Sequence, residues 1–146
     1  MLDRLDQADR ISGASAIAAL VAVYLPWYRF DDGANRVTAN AFGTGFLGDI
    51  VFFAALAVAL VLLVRHEVIR VELPIDTERI QFVAGGVAMA AVILQLLIGI
   101  NGSGAFHHAT IGIAVAFLAA GGLLVGGWMR RQQPVHSVRR AAHSRR

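Results

Sequence analysis

"IVFFAALAVALVLLV", Ile50–Val64, contains no charged or polar side chain. A helix packed into a water-soluble core keeps one polar stripe for solvent, and this stretch has none to offer. It reads as a helix surrounded by protein and lipid. Three further apolar segments have the same character, so that four spans are expected at residues 11–27, 46–64, 80–100 and 108–128. Each holds about 17 to 21 residues, which at about 1.5 Å per residue suits a hydrocarbon layer of about 30 Å. The expected fold is all-α, a bundle of four transmembrane helices over residues 1–129, followed by a basic tail over 130–146.

Composition agrees with that setting. Hydrophobic residues make up 57 % of the 146 and charged residues only 16 %, well to the apolar side of a soluble domain. There is no cysteine, which excludes disulfides, thiolate metal sites and cysteine nucleophiles. The first apolar segment follows Arg4 and Arg10 as a secretory signal would, but "PWYRF" after it is too bulky for a cleavage site, so it is read as a retained helix.

All thirteen basic residues are arginine, and their placement sets the orientation. With the N-terminus inside, Arg4, Arg10, Arg65, Arg70, Arg79, Arg130, Arg131, Arg139, Arg140, Arg145 and Arg146 are cytoplasmic, whereas Arg29 and Arg36 are outside. Both termini are therefore expected in the cytoplasm of a cell-membrane protein. The tail "RRQQPVHSVRRAAHSRR" has no acid and is expected to be disordered and attracted to anionic headgroups. It lacks the aromatic stacking residues or folded basic surface of a nucleic-acid site. The connection "RHEVIRVELPIDTER" is too short for a domain, with Asp76 or Thr77 as the N-cap of the third helix.

Polar groups inside an apolar bundle are costly and informative. By depth, Tyr24, Asp49, Gln95, His107, His108 and Thr110 gather in the outer third, and Asp49 with Gln95 is expected to brace the outer mouth. Ser12, Ser15 and Gln81 lie near the cytoplasmic face. A channel or carrier needs polar groups along a path or broken helices, and one copy of the chain offers neither. Ala14, Ala18 and Ala22, Gly112, Ala116 and Ala120, and the GxxxG pair Gly122 and Gly126 permit close helix contact. Packing within one bundle is favoured over self-association for them.

"LPWYRFDDG", Leu25–Gly33, closes the first span. Pro26 is placed in its last turn, and Trp27 and Tyr28 at the aromatic belt of the membrane surface. Asp32 and Gly33 centre a reversal, with residues 28–30 and 37–39 as two short strands. Arg29, on the side poor in charge, is expected to pair with Asp49 or Asp31. Asp31, Asp32, Asp49, His107 and His108 are types that bind metals or move protons. Their spacing matches no metal site, and adjacent helical histidines diverge by about 100 degrees. No GxSxG, HExxH, P-loop or dinucleotide fingerprint occurs, so neither cofactor nor metal is expected. Asn101–Ser103 forms a glycosylation sequon.

"LPWY", "TANAF" and the arginine-rich end together resemble small, uncharacterised four-helix membrane proteins of high-GC bacteria, a likeness that implies the bundle and no defined activity. There is also a loose similarity to claudin-type four-span proteins, without their paired cysteines. The leading functional expectation is an accessory or scaffold protein without catalysis, engaging a partner membrane protein, a second copy of itself or lipid. Its candidate surface is Trp27, Tyr28, Arg29, Asp49, Gln95, His107 and His108. A small oligomeric transporter subunit and an outer-interface lipid enzyme are the alternatives.

Overall fold

The computed structural model describes residues 6–32, 35–66, 68–69, 76–99 and 108–132. The chain is mostly helical. Helix α1 spans Gln7–Ala22, α2 Phe46–Arg65, α3 Thr77–Ile98 and α4 Ile111–Gln132. Between α1 and α2 lie strands β1 (Tyr28–Asp32) and β2 (Asn35–Ala39) and a short 3-10 turn, Phe42–Thr44. Helices α2, α3 and α4, of 20, 22 and 22 residues, are long and apolar enough to cross a membrane. With 16 residues, α1 reaches only about 24 Å at about 1.5 Å per residue.

Each helix packs on its neighbours in chain order and α4 closes against α1, while α2 and α4 touch little across the diagonal. The hairpin sits at one end, called here the hairpin end. The opposite end, where Arg65, Arg79 and Arg130 lie, is the arginine end. The core is built from small residues: Ala16, Ala19, Ala55, Ala88, Ala116 and Ala120 are buried, with Val51, Val58, Val92 and Leu123 among them. Small side chains let backbones approach closely. At Gly85 the approach is tightest between α3 and α4, since a Cβ there would lie 2.7 Å from the Leu124 nitrogen. Gly122 and Gly126 face Ser15 and Ser12 of α1 in the same chain, which places the GxxxG pair inside the bundle. Ala14 of the expected α1 stripe is exposed instead, and the packed face runs through Ala8, Ser12, Ala16 and Ala19.

Helix boundaries differ from those expected, for local reasons. Asp6 starts α1 early, its Oδ1 accepting from Gln7 N at 2.7 Å. The helix then ends before Pro26, which lies outside it. Tyr24 N and Leu25 N turn back to Val21 O and Ala22 O at 3.1 and 3.2 Å, tightening the chain before the proline, which has no N–H to continue the ladder. Asp76 caps α3 through Glu78 N at 3.1 Å. His108 and Thr110 do not begin α4: His108 has φ 59°, and Ala109 bridges to Tyr28. Their backbone is used as a third strand-like segment, so α4 starts at Ile111. At its other end, α4 includes Arg130, Arg131 and Gln132, the first residues of the expected tail; residues 133–146 are outside those described.

Candidate functional site

The hairpin forms as expected and extends by two residues on each strand, with Tyr28 opposite Ala39 and Asp32 opposite Asn35. Its attachment is the first candidate site. Trp27 N donates to Ala39 O at 2.8 Å, Thr110 N to Trp27 O at 2.8 Å, and Arg29 N to His108 O at 2.9 Å. Pro26 O accepts from Gly112 N at 3.0 Å and from the Thr110 hydroxyl. Thus residues 26–29 join the end of α1, the strand β2 and the entry to α4.

Trp27 and Tyr28 correct the aromatic-belt expectation. Both are fully buried. Trp27 Nε1 donates to Ala22 O at 2.8 Å, a carbonyl at the end of α1 that also accepts from Leu25 N. The Tyr28 hydroxyl donates to Gln95 O at 2.8 Å, linking β1 to the last turn of α3. Burial raises the Tyr28 pKa above its ordinary 10.0, because a phenolate would lose its water. A buried ring with its polar atom satisfied is a structural peg, and the proline that precedes these rings made them look like a surface girdle.

The other expected outer residues do not converge as one set. Gln95 is buried, with Nε2 donating to Gly99 O at 3.1 Å, so it closes the C-terminal turn of its own helix. Asp49 lies in the first turn of α2, where a carboxylate favours the helix dipole. No hydrogen bond joins Asp49 to Gln95, and no ion pair joins it to Arg29, among the described residues. Arg29 is exposed on β1 opposite Thr38. His108 is exposed beside it in the chain-crossing segment; His107, the Asn101–Ser103 sequon and the side chain of Asp31 are outside the described residues. A cleft of about 550 Å³ opens under the hairpin, lined by Tyr24, Pro26, Phe30, Val37, Thr38 and Asn40. Tyr24, Phe42 and Phe52 continue from it down the α1–α2 surface, with successive ring centroids 5.6 Å apart and edge-to-face.

The densest polar cluster lies at the arginine end, where sequence depth suggested little. Asp9, 4 % exposed, receives Arg65 Nη1 on Oδ1 at 2.8 Å. His66 Nε2 stands 3.4 Å and Arg130 Nη1 3.9 Å from its Oδ2. Arg65 also donates to Gln81 Oε1 at 3.2 Å and Thr77 Oγ1 at 3.3 Å, and Gln81 Nε2 donates to the Ser12 hydroxyl. Arg130 reaches Asp6 Oδ2 at 3.2 Å and Glu78 Oε1 at 3.9 Å. All four helices contribute. A carboxylate this buried is tolerated because the Arg65 guanidinium pairs with it directly, with Arg130 and the His66 ring close by. The sequence holds Asp9 and Arg65 at the start of α1 and the end of α2, but Arg65 by itself reads only as a topology charge and Asp9 lies ahead of the expected first span, so nothing in the sequence joins them.

Comparison with known proteins gives no match to a family model, to a curated protein or to a solved structure.

Proposed function

We propose that the chain is a four-span cell-membrane protein, both termini cytoplasmic, that acts as an accessory or scaffold protein through its hairpin. The arginine bias supports that orientation. In it, α1 with the turn Val23–Leu25 makes the fourth span, and the Asp9 cluster lies at the cytoplasmic surface, where arginine side chains can reach headgroups and water. The reading fits a bacterial membrane protein of the kind that "LPWY" and "TANAF" resemble.

One observation carries the functional reading. The hairpin and the residues flanking it are fastened by main-chain hydrogen bonds to the end of α1 and the entry of α4 and, through the Tyr28 hydroxyl, to α3, while the cleft beside Phe30, Val37 and Thr38 is left open. A display element held this firmly loses little freedom when a partner docks, which favours recognition. Between the Ser12–Gln81 layer and Gln95, the buried residues of the bundle are apolar. That supports a non-conducting core over a carrier's path.

Photo-crosslinking in cells from positions 37 and 38, followed by affinity purification, tests the reading. The expected result is a discrete adduct, with a partner membrane protein or a second copy, absent when the probe is moved to the lipid-facing position 118. Recovery of neither would overturn it.

A further inference from the structure

We propose that the groove between α2 and α3 seats one acyl chain of an anionic phospholipid, with Arg79 holding the phosphate. The inference rests on the membrane placement above and names one lipid partner for the chain.

The groove has a volume of about 540 Å³. Phe46, Ile50 and Phe53 form its α2 wall, and Ile80, Val83 and Val87 its α3 wall. Those spacings keep each set on one helix face. Ala54 and Ala84 make the floor, 8 % and 9 % exposed; their small side chains create the depth. Phe53 and Val83 stand 63 % and 57 % exposed on the rims. The contents are therefore apolar and elongated, the shape of a hydrocarbon chain.

Among the described residues Arg79 is the one charged residue in this lining, and it stands at the arginine end. Its side chain is 78 % exposed, with Nε 3.3 Å from Asp76 Oδ2. That contact engages the Nε edge of the guanidinium, and Nη1 and Nη2 make no hydrogen bond among the described residues. Asp76 is engaged through its other oxygen at Glu78 N, and Glu78 faces Arg130 at 3.9 Å. A planar guanidinium fixed from one side suits two-pronged contact with phosphate. A choline headgroup would bring its own cation against Arg79, so a lipid whose only headgroup charge is the phosphate is preferred. The groove between α3 and α4 makes the contrast. It is larger, about 860 Å³, and lined by Leu96, Leu97, Ile111, Ile113 and Phe117, with no charged residue among the described ones. It should accept chains without selecting headgroups.

Native mass spectrometry of the full chain, released from detergent containing equal dioleoyl phosphatidylglycerol and dioleoyl phosphatidylcholine, tests the assignment. The wild type should retain one phosphatidylglycerol in preference. Arg79→Gln should lower the bound ratio by about tenfold, equivalent to about 1.4 kcal/mol. Arg79→Lys should lose less, and Val83→Trp, on an exposed rim, should lower occupancy of that lipid. Replacing Arg139, Arg140, Arg145 and Arg146 by Gln should leave the tight lipid bound. An unchanged ratio in Arg79→Gln, or a preference that vanishes only with the tail arginines, would overturn the proposal. Lipid selection is read without any hairpin partner, so its failure is separate from failure of the crosslinking experiment.

Discussion

Arg65 Nη1 meets Asp9 Oδ1 at 2.8 Å across 56 positions of sequence, and the two side chains are 14 % and 4 % exposed. The pair ties the start of α1 to the end of α2, and through Gln81 and Thr77 it takes in α3. Removing one partner leaves the other charged and desolvated, so Asp9→Asn and Arg65→Gln should each destabilise the folded chain by about 3 kcal/mol. The double variant should lose less than the sum, because neither orphaned charge then remains. Unfolding in mixed micelles, read by loss of tertiary contacts, checks both values. Strictly additive losses would show that the two residues act independently.

The hydroxyl of Tyr28 gives a pH dependence with a definite sign. Its folded pKa is raised by burial above the unfolded value of 10.0, so its contribution is fully present below about pH 10 and is lost as pH climbs toward the folded value. Tyr28→Phe should cost about 1 kcal/mol at neutral pH, the worth of the bond to Gln95 O. The variant should also lack this residue's part of the alkaline loss. Stability measured from pH 8 to 11 in wild type and variant checks the difference; parallel curves would mean that Tyr28 does not titrate with unfolding.

The apolar runs and the turn chemistry were legible because they are local properties. Ile50–Val64 has no polar stripe, and Asp32 with Gly33 between β-prone residues marks a nearby reversal, though Asp32 itself is the last residue of β1, paired with Asn35, and not the centre of the turn. The Asp9 cluster was not legible in the same way. Its members come from four helices, and their meeting depends on neighbours that no periodicity specifies. Trp27 and Tyr28 were misplaced for a related reason. An aromatic pair after a hydrophobic segment suits a membrane surface and a buried strap equally, and only the return of residues 108–110 to β1 decides between them.

Two adjacent glycines of α3 separate packing from propensity. A Cβ at Gly85 would meet backbone, 2.7 Å from Leu124 N and 2.8 Å from Leu123 C, whereas at Gly86 the nearest atom is the Leu124 Cδ1, at 3.9 Å. Gly86→Ala should therefore be neutral or stabilising by up to about 1 kcal/mol through helix propensity. Gly85→Ala should destabilise by about 2 kcal/mol as α3 and α4 are forced apart. Thermal unfolding of both single variants in the same detergent checks the contrast. Equal effects would mean that the α3–α4 approach is looser than these distances.

The two tryptophans offer a direct reading of where the strap lies. Trp27 is fully buried with Nε1 bonded to Ala22 O at 2.8 Å, while Trp128 on α4 is 53 % exposed. In Trp128→Phe, the remaining emission should be blue-shifted and resist both acrylamide and lipids brominated near the headgroup. In Trp27→Phe, the remaining emission should be quenched more readily by the brominated lipid. Trp27→Phe should also lose about 1 kcal/mol with its hydrogen bond, and Trp27→Ala about 3 to 5 kcal/mol with the packing around it. Strong headgroup-level quenching of Trp27 would return it to the membrane surface. It would also loosen the hairpin, since Trp27 N and O are the atoms that bind Ala39 and Thr110.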